Sequence, residues 1–180
     1  MTSTQMFYAQ LISIAVALTI VLVCWRSRLA GRVFFVLLFS WAAFVNMRLA
    51  FVDPTAYLGY APLAWSDWYR DFIRGFFAAH ITAIVAVIAV GQATIAVLVA
   101  TTGRAVSLGL WGAVVFLVAI APLGVGSGFP TTLIMAWAAG LLLMMTYDRS
   151  VSSEIGSWWR GSAGPSRPNR ASRATGNRTV

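Results

Sequence analysis

Residues Phe76–Ala100 read FFAAHITAIVAVIAVGQATIAVLVA, an apolar run in which His80 is the only ionisable side chain. An α-helix rises 1.5 Å per residue, so about 20 such residues cross the hydrocarbon core of a bilayer. The run exceeds that length and contains no proline. It therefore predicts a transmembrane helix, which places the chain among membrane proteins.

The rest of the chain has the same character. Of the 180 residues, 59% are hydrophobic and 10% are charged, whereas a soluble domain carries about 25% charged residues. This composition excludes a cytosolic enzyme, a disordered regulator and a secreted disulfide scaffold, and Cys24 is the single cysteine. We predict an all-α fold, a polytopic transmembrane helical bundle with five spans. The other four spans are Met6–Val23, Val33–Phe51, Ala105–Leu123 and Phe129–Tyr147.

The basic residues, all of them arginine, predict the orientation of the bundle. When the Arg26–Arg32 loop is placed in the cytoplasm, the alternation of spans brings Arg104 and the Asp148–Val180 tail to the same side. That side then carries the whole formal net charge of +8 and the outer loops are neutral, in agreement with the positive-inside rule. We expect a multi-pass protein of a bacterial plasma (inner) membrane, with its N-terminus outside and its C-terminus in the cytoplasm.

Three regions follow from these boundaries. Residues 1–32 form an N-terminal transmembrane helix and a cytoplasmic loop, and residues 33–147 a four-helix membrane bundle with an outer interfacial segment at 54–74. Residues 148–180 form a basic cytoplasmic tail, which we expect to be disordered because almost no aliphatic residue follows Gly156. Its arginines either bind the anionic headgroups of membrane lipids or serve only as a topology signal. The lipid-facing candidates are Arg160, Arg167, Arg170 and Arg173. No nucleic acid partner is expected, since no aromatic platform accompanies these charges.

Polar side chains within the predicted spans are few, and they are candidates for function because burying them in hydrocarbon is costly. Arg48 lies near the outer end of the second span, where its side chain either reaches the interface or contacts a ligand. His80 either bonds a neighbouring helix or acts on a ligand, as a hydrogen-bond partner of a quinone carbonyl or as a proton relay. Asn46 and Gln92 are candidates for interhelical hydrogen bonds.

Two outer segments complete a candidate groove. Segment Ala61–Arg74 has the pattern of an interfacial amphipathic helix with two i,i+3 charge pairs, and it is either an anchor or a lid over an outward-facing pocket. The Pro122–Pro130 loop is rich in glycine and forms either a tight turn or an anion-binding nest. With one histidine and no inward carboxylate pair, neither catalysis nor a metal site is expected from this chain alone. The residues predicted to line the ligand or partner groove are Arg48, Asp71, Arg74, His80, Gly124, Gly126 and Gly128.

Small residues predict where the helices approach each other closely, because packing in lipid depends on van der Waals contact. In the third span they recur at intervals of three and four residues from Ala79 to Ala100. Gly109 and Ala113 have the small-x-x-x-small spacing in the fourth span. These patterns indicate a tightly packed bundle and carry almost nothing about function.

A set of residues in the bundle matches a known family pattern. The set comprises Asn46, Pro54, Tyr57, Trp68-Tyr69-Arg70, His80, Gly91-Gln92, Gly103-Arg104, Gly109 and the APLGVGSGFP turn from Ala121 to Pro130. On these residues the chain resembles the DoxX-like small integral membrane proteins over about residues 33–147. The resemblance implies a four-helix bundle, and some family members act as the membrane subunit of a thiosulfate:quinone oxidoreductase or of a terminal oxidase. The first span and the arginine-rich tail fall outside the family pattern.

The expected function is that of an accessory or anchoring subunit, with a quinone-linked redox complex as the candidate assembly and quinone as the candidate cofactor. A protein partner or a second copy of the chain would complete the assembly. A small membrane transporter or carrier is the alternative, although it would require a polar path across the bilayer, and polar residues at mid-span are few. An enzyme acting on lipids would need more carboxylates or histidines near the membrane surface.

Overall fold

The computed structural model describes residues 3–162, without the side chains of residues 3–7, 9, 125–127, 161 and 162. Two 3-10 segments, Pro54–Leu63 and Ala121–Ser127, and a π-helical turn at Ile73–Phe77 connect α-helices within this range, and it contains no β-strand. The all-helical fold predicted from the sequence is thus confirmed. The α-helices are α1 (Ser3–Arg26), α2 (Arg28–Val52), α3 (Asp67–Phe72), α4 (Ile81–Ala100), α5 (Arg104–Ile120), α6 (Thr131–Leu143) and α7 (Val151–Ser162).

Three helices are long and apolar enough to cross a membrane: α2, α4 and the Arg104–Gly124 stretch that contains α5. Shorter apolar helices occupy Gln10–Arg26 and Thr131–Leu143. These helices agree with the membrane class predicted from the sequence, whereas the count of five spans stays a prediction. Large apolar side chains cover the outside of the bundle, as a surface in contact with lipid requires. Examples are Leu37, Trp41, Val87, Trp111 and Val115, all of them exposed.

Each of the helices α1, α2, α4, α5 and α6 packs against two neighbours, in the order α1, α2, α4, α5, α6 and back to α1. A hydrophobic core extends along the middle of this arrangement and contains Phe35, Phe39, Leu110 and Leu142. Gly109 lets α4 and α5 approach closely, because a Cβ atom there would lie only 2.8 Å from the Cβ atom of Leu98. The spacing of small residues in α5 therefore corresponds to a real helix contact.

The buried face of α4 differs from the predicted seam of small residues. Ala89 and Ala96 of that seam are buried, but Ala93 is exposed. Larger side chains such as Val85 and Val99 share the buried face. The reason is that α4 packs against both α2 and α5, so that its buried surface is broader than a single seam.

The connections between helices alternate between two ends of the bundle. We term one the arginine end (residues 26–32, 101–104 and 144–150) and the other the aromatic end (residues 53–80 and 121–130). At the arginine end, the backbone nitrogen of Gly103, in the α4–α5 turn, donates a hydrogen bond to the carbonyl of Tyr147, which follows α6, over 2.7 Å. This alternation is the one that the order of the spans predicts.

At the aromatic end, the two connecting segments contact each other. The backbone nitrogen of Trp65 donates a hydrogen bond to the carbonyl of Pro122 over 3.1 Å. Gly124 adopts a φ of +76°, and a Cβ atom at this position would overlap the carbonyl oxygen of Leu63. The tight-turn interpretation of the glycine-rich loop agrees with this geometry, since only glycine fits both the torsion angle and the close approach.

Arg32 lies inside the arginine end and is completely buried. Its guanidinium donates three hydrogen bonds to backbone carbonyls: Nε to Val99 over 3.1 Å, Nη1 to Arg149 over 2.9 Å and Nη2 to Thr101 over 2.6 Å. The fixed directions of the arginine N–H groups suit this arrangement. From the sequence Arg32 counts as a loop charge, and that interpretation is wrong. The side chain joins α2 to the α4–α5 turn and to the chain before α7.

Helix α7 is attached to the bundle through the same arginine. Glu154 Oε1 lies 3.6 Å from Arg32 Nη1 and 3.8 Å from Arg28 Nη2. The ring of Tyr147 packs against the Arg32 guanidinium, with 4.9 Å between the carbon of the guanidinium and the ring centre. Val151, the first residue of α7, is buried. We refer to Arg32, Tyr147 and Glu154 with the three carbonyls as the Arg32 cluster.

The prediction of a disordered tail from Asp148 onward is therefore wrong for Val151–Ser162. Composition alone disfavours an isolated helix of this length in water, but contacts with the bundle supply the stabilisation that the sequence lacks. Arg160 is exposed on α7. The other candidate lipid-binding arginines, Arg167, Arg170 and Arg173, lie outside the described residues.

Candidate functional site

A cavity of about 560 Å³ lies between the helices of the bundle near the aromatic end. Side chains of α2, α4, α5 and α6 form its wall, and side chains from residues 57–77 cover it. Its volume falls in the range of about 300–1,000 Å³ that is usual for small-molecule sites. The lining is mainly aliphatic and aromatic, and its large members include Phe39, Tyr57, Tyr60, Tyr69, Phe72, Phe77, Phe116 and Met135.

Helix α3 and the π-helical turn form much of the cover. Ser66 caps α3 by accepting a hydrogen bond from the backbone nitrogen of Tyr69 over 3.3 Å. The hydroxyl of Tyr69 donates to the carbonyl of Ala119 on α5 over 3.0 Å, which fixes the cover to the wall. The exposed rings of Trp68 and Phe76 face outward. The segment therefore has the position expected of a lid and also presents the aromatic rings expected of an anchor.

The π-helical turn at Ile73–Phe77 separates α3 from α4. Ile73 and Phe77 both line the cavity, and Ile73 is buried. A π turn adds one residue to a helical turn, so it widens the helix locally and changes the direction in which side chains project. Such turns occur frequently at functional sites, and this one lies where the cover meets the wall.

Three hydrogen-bonded side chains form a polar part of the wall: Tyr57 of the 54–63 segment, Asn46 of α2 and Gln92 of α4. The Tyr57 hydroxyl donates to Asn46 Oδ1 over 2.8 Å, and Asn46 Nδ2 donates to Gln92 Oε1 over 2.8 Å. Burial, with the neighbouring Tyr60, raises the pKa of the Tyr57 hydroxyl above its ordinary value, so the group keeps its proton. Asn46 and Gln92, both expected to bond between helices, thus bond each other and join α2 to α4. We call these three side chains the amide relay.

Thr132 on α6 supplies a further polar group. Its residue is 7% exposed and lines the cavity, and its hydroxyl oxygen has no hydrogen-bond partner in the part of the chain that the structure describes. Its neighbour Thr131 instead bonds Ser13 of α1, with 2.7 Å between the two hydroxyl oxygens. A buried hydroxyl without a partner is unusual in a folded protein and invites an explanation. A ligand in the cavity would provide one.

Most residues predicted to line the groove lie elsewhere. Arg48, Asp71, Arg74 and His80 are exposed and none of them lines the cavity. His80 Nδ1 lies 3.0 Å from the carbonyl oxygen of Phe76 in the preceding turn. The physical reason is that these side chains keep their polar groups outside an apolar cavity, because burying an unpaired charge is costly. These four residues are therefore not part of this cavity, and the groove they were expected to form stays a prediction.

The three glycines of the predicted groove have different positions. Gly128 lines the cavity. Gly124 packs against the 54–63 segment and does not line the cavity. Gly126 belongs to the 3-10 segment Ala121–Ser127, but its surroundings lie outside the described residues. Of the residues predicted for the groove, the cavity therefore includes Gly128, together with the interhelical candidates Asn46 and Gln92.

Sequence reasoning missed Tyr57, Tyr69 and Thr132 as parts of the site. Tyr57 lies in a segment without a clear helical period, and Thr132 is one of two adjacent threonines at the start of α6. No local signal separates these hydroxyls from ordinary interface residues. A search for polar residues at matching depth in neighbouring spans would have paired Asn46 with Gln92, since unpaired amides in hydrocarbon are costly.

The described residues around the cavity do not form a metal centre. In residues 3–162, no group of three or more His, Cys, Asp or Glu side chains is arranged to hold a metal ion. Comparison of the chain with protein-family models, with curated proteins and with solved structures found no match. The chemistry of the cavity itself therefore carries the functional argument.

Proposed function

We propose that the protein is an integral membrane protein that binds a lipid-soluble ligand in the cavity, and that it serves as a non-catalytic accessory or anchoring subunit of a quinone-linked redox complex. The observation that carries the proposal is the cavity itself, an apolar chamber between helices with few polar groups in its lining. A water-soluble ligand would need more polar partners than this lining offers, whereas a lipophilic ring matches both its aromatic cover and its few polar groups.

A quinone fits the residues present. A quinone ring is flat and apolar on its faces, and the ring pairs of the cover, such as Tyr57 with Tyr60 at 6.2 Å between ring centres, provide aromatic surfaces for it. Its carbonyl oxygens accept hydrogen bonds, and the amide relay ends in a carboxamide that can donate them. When bound, a quinone would supply electron-accepting chemistry, and the residues of this chain would hold and orient the ring.

The accessory role is supported by the lining of the cavity. Its members include amides, hydroxyls and apolar side chains, but no Asp, Glu, His, Lys, Arg or Cys within the described residues. General acid and base catalysis commonly depends on such groups. We therefore assign the reaction to another subunit and ligand binding to this one. A protein partner or a second copy of the chain belongs to the same proposal.

The resemblance to DoxX-like proteins also supports a proposal for the membrane topology of the chain. In the proposed arrangement α2, α4, α5 and α6 are the family bundle around the cavity, and α1 is an additional fifth span. The N-terminus lies outside a bacterial plasma membrane, and the arginine end with α7 lies in the cytoplasm. Accessibility labelling of single cysteines introduced into a Cys24→Ser background, in spheroplasts, tests this orientation. Labelling of the C-terminal tail from the outside would contradict it.

A binding titration tests the proposed function. The purified full-length chain in nanodiscs is titrated with decylubiquinone, and quenching of its tryptophan fluorescence is followed. We expect saturable binding that Ala42→Leu, which places extra volume in the cavity wall, weakens. Ala83→Leu is the matched control, because Ala83 is exposed on α4. The absence of saturable binding, or equal binding by the two variants, would overturn the proposal.

The alternative of a small transporter or carrier makes a different prediction. The polar wall reaches Gln92, and beyond it the buried residues of α4 toward the arginine end are the apolar Ile95, Ala96 and Val99. A polar path across the bilayer would have to continue through this region. We therefore expect no solute flux in proteoliposomes, and a flux above that of protein-free vesicles would favour the transporter.

A further inference from the structure

The start of α2 and the α4–α5 turn both contact residues 146–149 at the arginine end. Arg28 Nη1 donates a hydrogen bond to the carbonyl of Thr146 over 3.2 Å. The α4–α5 turn makes its contact through the backbone hydrogen bond from Gly103 to Tyr147. Each of these three segments contributes one exposed arginine, and we call the three residues the arginine triad: Arg28, Arg104 and Arg149. The fold thus gathers positive charges that are far apart in the sequence.

The carboxylates at this end do not neutralise the triad. Glu154 is shared between the buried arginine and one member of the triad, at 3.6 and 3.8 Å. The side chains of Arg104 and Arg149 have neither an ion pair nor a hydrogen bond within residues 3–162. Asp148 is exposed and makes no ion pair in that range. The triad therefore keeps an excess of positive charge that is available to an anionic partner.

The triad lies at the ends of helices that are long enough to cross a membrane. Arg28 and Arg104 are the first residues of two of them, Arg28–Val52 and Arg104–Gly124. The second stretch has 21 residues, which span about 31 Å at 1.5 Å per residue. The hydrocarbon core of a bilayer is about 30 Å thick, with the head groups directly beyond it. In a membrane, the guanidinium groups of the triad therefore lie at the level of the lipid head groups.

Exposed apolar side chains at the same end distinguish a lipid from a free anion. Met144, five residues before Arg149, is 85% exposed. Trp25 at the end of α1 is 71% exposed, and Trp159 of α7 is 65% exposed. Tryptophan is enriched where membrane meets water, because its ring is apolar and its N–H group is polar. A free anion would leave these side chains without a partner, whereas a phospholipid offers a phosphate and acyl chains side by side.

We infer that the arginine triad binds the phosphate of an anionic phospholipid. The planar guanidinium groups match the oxygens of a phosphate, and the excess charge favours a lipid with no cation in its own head group over a zwitterionic one. The aromatic end provides the contrast, since its three arginines are accompanied by three aspartates at 53, 67 and 71. The site lies at the opposite end of the bundle from the cavity cover, and the inference does not depend on the ligand proposed for the cavity.

Native mass spectrometry of the full-length chain in dodecyl maltoside tests the inference. The protein is titrated with dioleoyl phosphatidylglycerol and, in parallel, with dioleoyl phosphatidylcholine, and the dissociation constant of the first bound lipid is measured. An arginine near an anionic lipid contributes about fivefold in affinity. We therefore expect the wild type to prefer phosphatidylglycerol by at least about 25-fold. The double variant Arg104→Gln/Arg149→Gln should lose about 25-fold in affinity for phosphatidylglycerol and change by less than about twofold for phosphatidylcholine.

The matched control is Arg48→Gln/Arg74→Gln, because both arginines are exposed at the aromatic end and make no ion pair in the described part of the chain. Equal affinity of the wild type for the two lipids, or an equal loss in the two double variants, would overturn the inference. Displacement of phosphatidylglycerol by excess inorganic phosphate would indicate a site for a free anion and would also overturn it. If the first double variant does not fold, as judged by size-exclusion chromatography, its two single variants decide, and each should lose about fivefold.

Discussion

Replacement of Arg32 by alanine tests the main structural conclusion about the arginine end. The substitution removes three hydrogen bonds from a charged donor to buried or partly buried carbonyls. It also removes the nearer of the two arginines that face Glu154. A buried acceptor that loses its partner costs about 1–3 kcal/mol, and breaking a buried charge cluster by removing one member costs about 3–5 kcal/mol. The carbonyls of Thr101 and Arg149 are only partly buried, so water can replace some of the lost hydrogen bonds. We therefore expect the free energy of unfolding to fall by about 3–5 kcal/mol, which is less than the sum of the individual costs.

The assay is thermal unfolding in dodecyl maltoside, followed by the fluorescence of the eight tryptophans. For a chain of this size, each kcal/mol lowers the Tm by about 2–4 °C, so Arg32→Ala should lower it by about 6–20 °C. Arg26→Ala is the control, since Arg26 is exposed at the end of α1, and its Tm should change by about 2 °C at most. Arg32→Lys should fall between them, because it keeps the charge and loses the fork of N–H groups. A Tm for Arg32→Ala that equals the Tm of Arg26→Ala would refute the reasoning.

Three further predictions concern packing and accessibility. Gly109→Ala should destabilise the protein by about 1–3 kcal/mol in the same unfolding assay, because the added methyl group meets the facing helix; Gly91→Ala, where a Cβ atom meets nothing within 4 Å, should be neutral or stabilising by up to about 1 kcal/mol. Gly124→Ala should lower the Tm more than Gly128→Ala: both glycines have positive φ, but a Cβ atom clashes only at the former. Cys24 is completely buried, so we expect maleimide to modify it only after denaturation in dodecyl sulfate, and rapid labelling of the folded protein would contradict its position in the core.

The helices themselves could be predicted from the sequence, because the hydropathy of a segment depends only on its own residues. The predicted second span Val33–Phe51 lies within α2, Arg28–Val52, and the predicted span Phe76–Ala100 ends where α4 ends. The beginning of the latter was wrong by five residues, since α4 begins at Ile81. The apolar run continues through the π-helical turn, and hydropathy does not distinguish a π turn from the first turn of an α-helix.

The site could be predicted only in part, because its contacts join residues far apart in the sequence. Asn46 and Gln92 were identified as interhelical candidates, since an amide in hydrocarbon needs a partner. The sequence assigns Arg48 and His80 to a groove because ionisable side chains at membrane depth are candidates for function, whereas neither residue lines the cavity. A cavity arises where helices fail to fill the space between them, and no single segment of sequence records that gap.

The contacts of Arg32 also constrain the biosynthesis of the protein. Its three carbonyl partners lie 67, 69 and 117 residues further along the chain, so the ribosome delivers them long after α2 has left the exit tunnel. A nascent chain that ends after α6 can offer the carbonyls of Val99 and Thr101 but not that of Arg149 or the carboxylate of Glu154. The contacts of the arginine end can therefore form completely only after the last helix has been synthesised. A polypeptide that ends before Arg149 leaves the Arg32 guanidinium without the Arg149 carbonyl and the Glu154 carboxylate.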